Sequence, residues 1–462
     1  MPSNPPTIPT TLPRDLPLTH EPDVLVIGGG PGGIGAAVAA ARGGADVLLV
    51  EHYGFLGGMA TAGEVNPFMP NHLHGQSLDT GLFEEWLDRI DHYGGARAAQ
   101  RVFDPNVARL AAEDLCLAAG VRLLFHHRAA HVEREQRRVS AVVLHGKEGF
   151  TAARAKVYID ATGDGDVAAL AGCAFELGGD SGHCQPMTLC FKLKLDPRDI
   201  PADDRDDPYR ALRAVMPAVQ EAYQRGKRDG RIDCPREDVL VFRGVDDGVV
   251  HFNTTRVIHR LSTDGVQLSD AEVEGRRQLR QIVAVLRSDV PLFRRAAIYS
   301  IAPQIGVRES RRVLGRAYLT LQDYEACRHF DDAVARVTYP VDIHNPNGTG
   351  TVISHLPQGG WYEVPWGCLL PRDVDNLAIA ARCVSVDHAV HSSLRVMPPV
   401  CSLGQAAGTA AAEAVRRGVD VCAIDGRWLR GRLVELGRHL GAMDEGEAGA
   451  APRPKAAATL SA

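Results

Sequence analysis

The 462-residue chain is 45% apolar and 23% charged and carries a formal net charge of −6, a globular balance over a length that suits two or three domains. Mild acidity excludes the strongly basic surface that nucleic acid or an anionic membrane selects, and no stretch is apolar enough to span a bilayer. Ten cysteines include no C-x-x-C pair, which argues against an iron–sulfur cluster, a zinc knuckle or a redox dithiol and leaves free thiols in a reducing compartment as the default.

Residues 1–20 are rich in Pro and Thr and lack the basic and apolar regions of a secretory signal; they are expected to be a disordered lead-in to a cytoplasmic protein. The apolar run from Asp23 to Ile27 suits a buried parallel strand and ends in Gly28-Gly29-Gly30-Pro31-Gly32-Gly33. An Ala-rich helix to about Arg42 and a second strand, Asp46–Val50, ending on Glu51, complete a βαβ unit. Helical periodicity follows over 81–119. Val121–Phe125 and Val139–Leu144 are expected as strands of a small inserted β-meander, and Ala155–Asp160 as a strand leading into Ala161-Thr162-Gly163-Asp164.

From about Cys173 to Trp361 strand-like runs at Met187–Leu195 and Val239–Phe242 alternate with charged helix such as Asp270–Leu286. This texture suggests a second, α+β unit inserted into the first. The nucleotide-sheet pattern returns at Asn376–Ala381, and a small-residue helix is expected from about Gly404 to Arg417. The expected division is a nucleotide-binding domain over 21–175 and 363–440, a substrate domain over 176–362, and a disordered tail over 441–462.

Gly28-x-Gly30-x-x-Gly33 is informative because it follows a buried strand, opens a helix, and is answered by Glu51 at the end of the next strand. Gly28 permits the tight turn, Gly30 lets backbone reach a pyrophosphate, and Gly33 permits close helix–strand packing; Gly32 lies in the same loop. The helix N-terminus offers amides to phosphates. Glu51 suits two unphosphorylated ribose hydroxyls, so NADP is not expected. The bland reading is a glycine-rich turn without ligand, and this context makes it the lesser one.

After Glu51 comes Gly57-Gly58-Met59-Ala60-Thr61, where paired glycines let backbone pass a flat ring. With Ala161-Thr162-Gly163-Asp164, Gly306-Val307-Arg308-Glu309-Ser310-Arg311-Arg312 and Arg395 to Gly408, the chain resembles the FAD-dependent oxidoreductase family of the glutathione-reductase-like fold. The subgroup has a single nucleotide site and is related to fumarate reductase and heterodisulfide reductase flavin subunits. The resemblance runs from Asp23 to about Gly418. It implies FAD as cofactor, bound by Gly28, Gly30, Gly32, Gly33, Glu51, Gly57, Gly58, Met59 and Thr61, with Gly163 and Asp164 near the pyrophosphate or adenosine. It also implies that a helix starting at Gly404 and Gln405 points its amides at the flavin pyrimidine. One departure is Ala380-Ala381-Arg382, where the family usually has a glycine before the arginine. A second G-x-G-x-x-G is absent, so no NAD(P) domain is expected.

Chemistry is expected from Arg308, which with Arg395 can fork onto a carboxylate, and from His388 and His391, which can move the proton that accompanies hydride transfer. Set against this, Arg308–Arg312 also reads as a structural ion-pair network, and either histidine as an ordinary buried or surface residue. His72 and His74 lie close together, but Pro67–Leu78 supplies no carboxylate or thiol to complete a metal site, and none is expected. The leading reading is an FAD-dependent dehydrogenase or oxidase transferring a hydride between a small organic substrate, carboxylate-bearing if the arginines anchor it, and flavin N5. A non-redox flavoenzyme (hydratase or isomerase) and a flavin electron-transfer subunit are the alternatives. A homodimer is left open.

Overall fold

The structure is a computed structural model that describes residues 15–97, 101–179 and 181–440. The tail expected over 441–462 and most of the lead-in lie outside those residues. Of the residues expected in the lead-in, Leu18–His20 instead form a strand lying parallel to Gly149–Ala153.

The βαβ unit forms as its periodicity predicts: Val24–Ile27 (β1), Pro31–Arg42 (α1) and Val47–Glu51 (β2). The 81–119 region divides into Leu82–His92 (α2) and Pro105–Ala118 (α3). Asp104 caps the latter by accepting from Asn106 and Val107. Arg122–Phe125 (β3) and Val157–Asp160 (β4) follow. With Leu377–Ile379, which returns late in the chain, these strands build one parallel sheet in the order Leu377–Ile379, β4, β1, β2, β3. Every residue of β1, β2 and β4 is buried, as a sheet covered on both faces requires. A fully buried Val, Leu or Ile here contributes about 1.5–3 kcal/mol.

One strand was placed differently from expectation. Arg122–Phe125 extends the parallel sheet as its edge rather than joining the meander, which is built from Arg128–Glu135, Arg138–Gly146 and Gly149–Ala153. The first of these, Arg-Ala-Ala-His-Val-Glu-Arg-Glu, buries only Val132, so its charge concealed it from a hydrophobicity pattern.

A second core gathers residues between Met187 and Val307. Its antiparallel sheet consists of Phe191–Lys194 (β5), Val241–Arg243 (β6), Val249–Phe252 (β7) and Ala297–Ile301 (β8), ordered β6-β7-β5-β8. The helices Pro208–Arg228 (α4) and Gly265–Asp289 (α5) supply apolar residues to the same core. This core is shorter than the unit expected over 176–362. Val313, Leu319 and Tyr324 pack into the first core, and so does the buried ladder Ala333–Val337/Tyr362–Pro365.

The chain closes with Leu377–Ile379 (β9), His388–Leu394 (α6), Met397–Arg417 (α7) and Gly426–Glu435 (α8). The small residues of α1 and α7 bring these two helices into close backbone contact. Val65 packs against both cores, and the amide of Gln304 donates to Ala62 O at 2.9 Å. The segment after Gly57-Gly58 therefore lies at their junction.

Candidate functional site

At the head of α1 the glycines divide by what faces them. A Cβ on Gly28 (φ +103°) would stand 2.3 Å from Ala161 O, one on Gly33 1.8 Å from Gly28 O, and one on Gly32 1.8 Å from Ala380 O. Protein backbone fills those approaches. At Gly30 the nearest atom is Gly58 Cα, 3.8 Å from the added Cβ. Gly30 is also the N-cap of α1; no side chain caps this turn and no acid lies in it, which suits an anion arriving from outside. Glu51 is buried, with its carboxylate accepting from the amides of Gly29 (2.6 Å) and Tyr53 (3.0 Å).

Gly57 and Gly58 both adopt positive φ, 110° and 51°, and fold the chain back so that Gly58 faces Gly30. Met59 is half-buried against the first core, and Thr61 Oγ1 donates to Leu56 O at 2.7 Å. Arg109 stacks on Phe55 at 3.9 Å and donates to Thr61 O at 3.2 Å, which fixes the turn from α3. Across from it, Gly163 (φ +85°) lies against the Arg382 guanidinium. Asp164 pairs with Arg382 and accepts from Ser310 Oγ at 2.6 Å. Arg382 Nε is buried without a partner. Arg382 is not among the site residues expected from sequence; its signal is a lone arginine soon after the returning strand.

The helix expected to start at Gly404 starts instead at Met397, about two turns earlier. A Cβ on Gly404 would stand 2.0 Å from Gly32 O, and one on Gly408 2.0 Å from Ala36 O. Gln405 Oε1 accepts from the Leu82 amide at 3.2 Å. Gly404 and Gln405 thus serve helix packing and do not present amides to a ligand. Of the first three residues of α7, Pro398 and Pro399 carry no N–H at all.

The structure gathers the proposed catalytic residues around α6, whose N-cap Asp387 accepts from the Val390 amide at 2.8 Å. His388 Nδ1 lies 2.8 Å from Glu309 Oε1. The same carboxylate accepts from Arg312 at 2.6 Å and from the Gln185 amide at 2.9 Å. Burial pushes the Glu309 carboxyl up, but the hydrogen bonds from His388 and the Gln185 backbone amide oppose it, and the group is held below the ordinary range. Arg312 also donates to Val386 O and Gly178 O, and Arg311 to Asp166; both tie their own strand to the loops beside it. His391 is 1% exposed with neither ring nitrogen partnered, and burial drops its pKa to about 3, so the ring is neutral.

Arg308 departs from the bracing pattern of its neighbours. Its Nη1 donates to Pro186 O (2.7 Å) and Thr188 Oγ1 (2.6 Å), and it stands beside Arg395 and Asp342. Arg395 makes only long contacts, 3.5 Å to Gln185 Oε1 and 3.4 Å to Asp342 O, and its Nε is orphaned. His72 bonds Arg101 at 2.9 Å and, with His74 and His355, lines an open hollow of about 590 Å³ that includes none of the expected site residues. Among the described residues no group of three or more His, Cys, Asp or Glu is placed to hold a metal ion, and no helix is long and apolar enough to cross a membrane.

Residues 23–433 match the family described as FAD dependent oxidoreductase. No curated protein matches the chain. Similar solved structures include a geranylgeranyl bacteriochlorophyll reductase-like protein from Thermoplasma acidophilum, 13% identical with TM-score 0.45, covering 90% of this chain and 84% of that one. A p-nitrophenol 4-monooxygenase from Pseudomonas putida is 11% identical with TM-score 0.44, covering 87% and 82%. L-proline dehydrogenase from P. horikoshii is 12% identical with TM-score 0.40, covering 90% and 99%.

Proposed function

The chain belongs to the FAD-dependent oxidoreductase family and binds FAD, and we propose that it transfers a hydride between a small organic substrate and flavin N5 at the junction of its two cores. The parallel order of the first sheet supports a glutathione-reductase-like arrangement of the FAD domain. Glu51 would hold the adenosine ribose, Gly30 and the uncapped first turn of α1 the pyrophosphate, and Asp164 with Arg382 the stretch beyond it. The orphaned Arg382 Nε fits an additional acceptor there. Bound FAD supplies the two-electron redox capacity at N5.

The observation that carries the reading is the Glu309–His388 pair. Ser310, the next residue after Glu309, donates to Asp164, so the pair is adjacent in sequence to a residue that touches the aspartate proposed to line the cofactor. Glu309 fixes His388 through Nδ1 and leaves Nε2 as the nitrogen that takes or gives the substrate proton. His391, one helical turn on, is neutral and offers one donor and one acceptor to a ligand. Ten free cysteines, eight of them buried, support a cytoplasmic location.

The test is anaerobic mixing of the holoenzyme with candidate substrates. Bleaching of the flavin band with stoichiometric product is expected. Turnover without bleaching would replace this reading with a non-redox flavoenzyme. His388→Gln should lower turnover at least about 100-fold with FAD still bound, and unchanged turnover would remove the proton role.

A further inference from the structure

Arg308 feels the charges of three further guanidinium groups and is set, with them, against two carboxylates. Arg308, Arg395, Arg236 and Arg256 are set against Asp342 and Glu237; Arg256 Nη1 lies 3.1 Å from Glu237 Oε2, and Asp342 Oδ2 lies 4.0 Å from Arg395. His344 adds no compensation or charge, because burial drops it to about 3. Two positive charges are therefore left over in a largely water-excluded place, an arrangement that costs stability unless an anion answers it. Burial and the charges of Arg395, Arg236 and Arg256, opposed by Asp342, pull Arg308 down to about 9.

The orphaned atoms of this cluster share one chemistry. Arg395 Nε, Arg236 Nη1 and Gln185 Nε2 are each buried without a partner, and each is a donor. Gln185 Oε1 faces the cluster's own donors, the His344 amide at 3.3 Å and Arg395 at 3.5 Å, so the amide is oriented with its nitrogen left over. Arg256, by contrast, is spent on Gly348 O, Gly350 O and Glu237. A ligand that accepts and never donates is needed, and an ionised carboxylate is acceptor-only.

We propose that Arg308, Arg395, Arg236 and Gln185 form the seat for a carboxylate of the substrate, making the substrate class an organic acid. This rests on the hydride-transfer reading for its catalytic meaning but not for its binding. Arg236 comes from the second core and Arg395 from the segment before α7, so a bound acid would also tie the two cores together.

The test uses the holoenzyme with acetate as probe, acetamide as its neutral isostere and sulfate as a non-carboxylate anion, read by thermal unfolding and by the flavin absorbance spectrum. Acetate should raise the unfolding temperature in a saturable way, while acetamide should not and sulfate should do so more weakly. Arg236→Met should weaken acetate binding at least ten-fold with FAD content unchanged. Gln185→Leu, a milder change, should weaken it measurably and serves if Arg236→Met does not fold. Equal responses to acetate and acetamide would overturn the proposal, as would acetate binding unaltered in the variants. A sulfate response stronger than acetate would overturn the carboxylate in favour of another oxyanion. Arginine-dependent acetate binding in an enzyme that no acid reduces would leave the seat standing and fell the hydride reading.

Discussion

Gly404→Ala isolates the contact on which the nucleotide loop depends. The added Cβ would stand 2.0 Å from Gly32 O and 2.7 Å from Gly32 C, against an ordinary separation of about 3.4 Å or more. Relief requires α1 and α7 to part by about 1.4 Å, or Gly32 to move by as much. Overpacking of this kind costs about 1–3 kcal/mol and at times more; the alanine returns about 1 kcal/mol of helix propensity. A 2.0 Å approach to backbone belongs at the upper end of that range, so a net loss of about 2 kcal/mol is expected from a total that rarely exceeds about 15 kcal/mol. Gly32 is two residues from Gly30, so the same shift should move the uncapped turn and lower FAD retention. Gly408→Ala, whose Cβ would stand 2.0 Å from Ala36 O, should cost similar stability but release less FAD, because it acts one turn farther from the loop. Gly431→Ala in α8 is the control: the site is exposed with nothing within 4 Å of the new methyl, and it should gain about 1 kcal/mol. Urea midpoints and the ratio of flavin to protein absorbance measure both effects. Wild-type midpoint and full flavin in Gly404→Ala would refute the packing assignment.

Glu51→Arg should abolish most FAD retention, since it replaces the acceptor of two amides and the proposed ribose partner; full occupancy would refute that assignment. The holoenzyme should lose stability as pH falls below 6.5. Burial holds His251, His344 and His391 at about 3 and His72 at about 4, so the unfolded chain takes up protons that the folded one refuses. Each such histidine contributes up to about 1.4 kcal/mol per pH unit. Asp79 and Asp160, raised by burial to about 6, act in the opposite sense between about pH 4 and 6 and offset about two of the four histidines there. Urea midpoints at pH 7, 6 and 5 with excess FAD should fall in that order, with the drop from pH 6 to 5 at least as large as that from 7 to 6 because the histidines of the unfolded chain are only half protonated at pH 6.5; a rise toward pH 5 would sink the claim.

Local pattern carried much of the fold. The runs Val24–Ile27 and Val47–Glu51 are buried on both faces and so are uniformly apolar, which makes them visible without partners. Long-range choices were not visible. Nothing in Arg122–Phe125 says that it pairs with β2 rather than with the meander. The start of α7 was hidden because Met397-Pro398-Pro399 reads as a turn, although proline in a helical first turn loses no hydrogen bond. At the site, Glu51 and Gly30 were legible from spacing to their own strand and helix. Arg236 was not, because only tertiary packing brings it from the far core to Arg308.

The glycines show why the cofactor was easier to name than to place. A glycine reports that something passes close to the backbone, and sequence does not say what. At Gly28, Gly32, Gly33, Gly404 and Gly408 the visitor is the chain's own carbonyl, within 2.3 Å of where a Cβ would be. At Gly30 it is not, and the nearest atom belongs to another glycine that is itself held at positive φ. Most of the motif therefore exists to seat α1 tightly between β4 and α7, and a single position is left for the ligand. The binding loop is specified by packing around it, so substitutions at Gly28, Gly32, Gly33 and Gly404, the packing glycines in or against the loop, should be as harmful to FAD retention as substitutions at Gly30 itself.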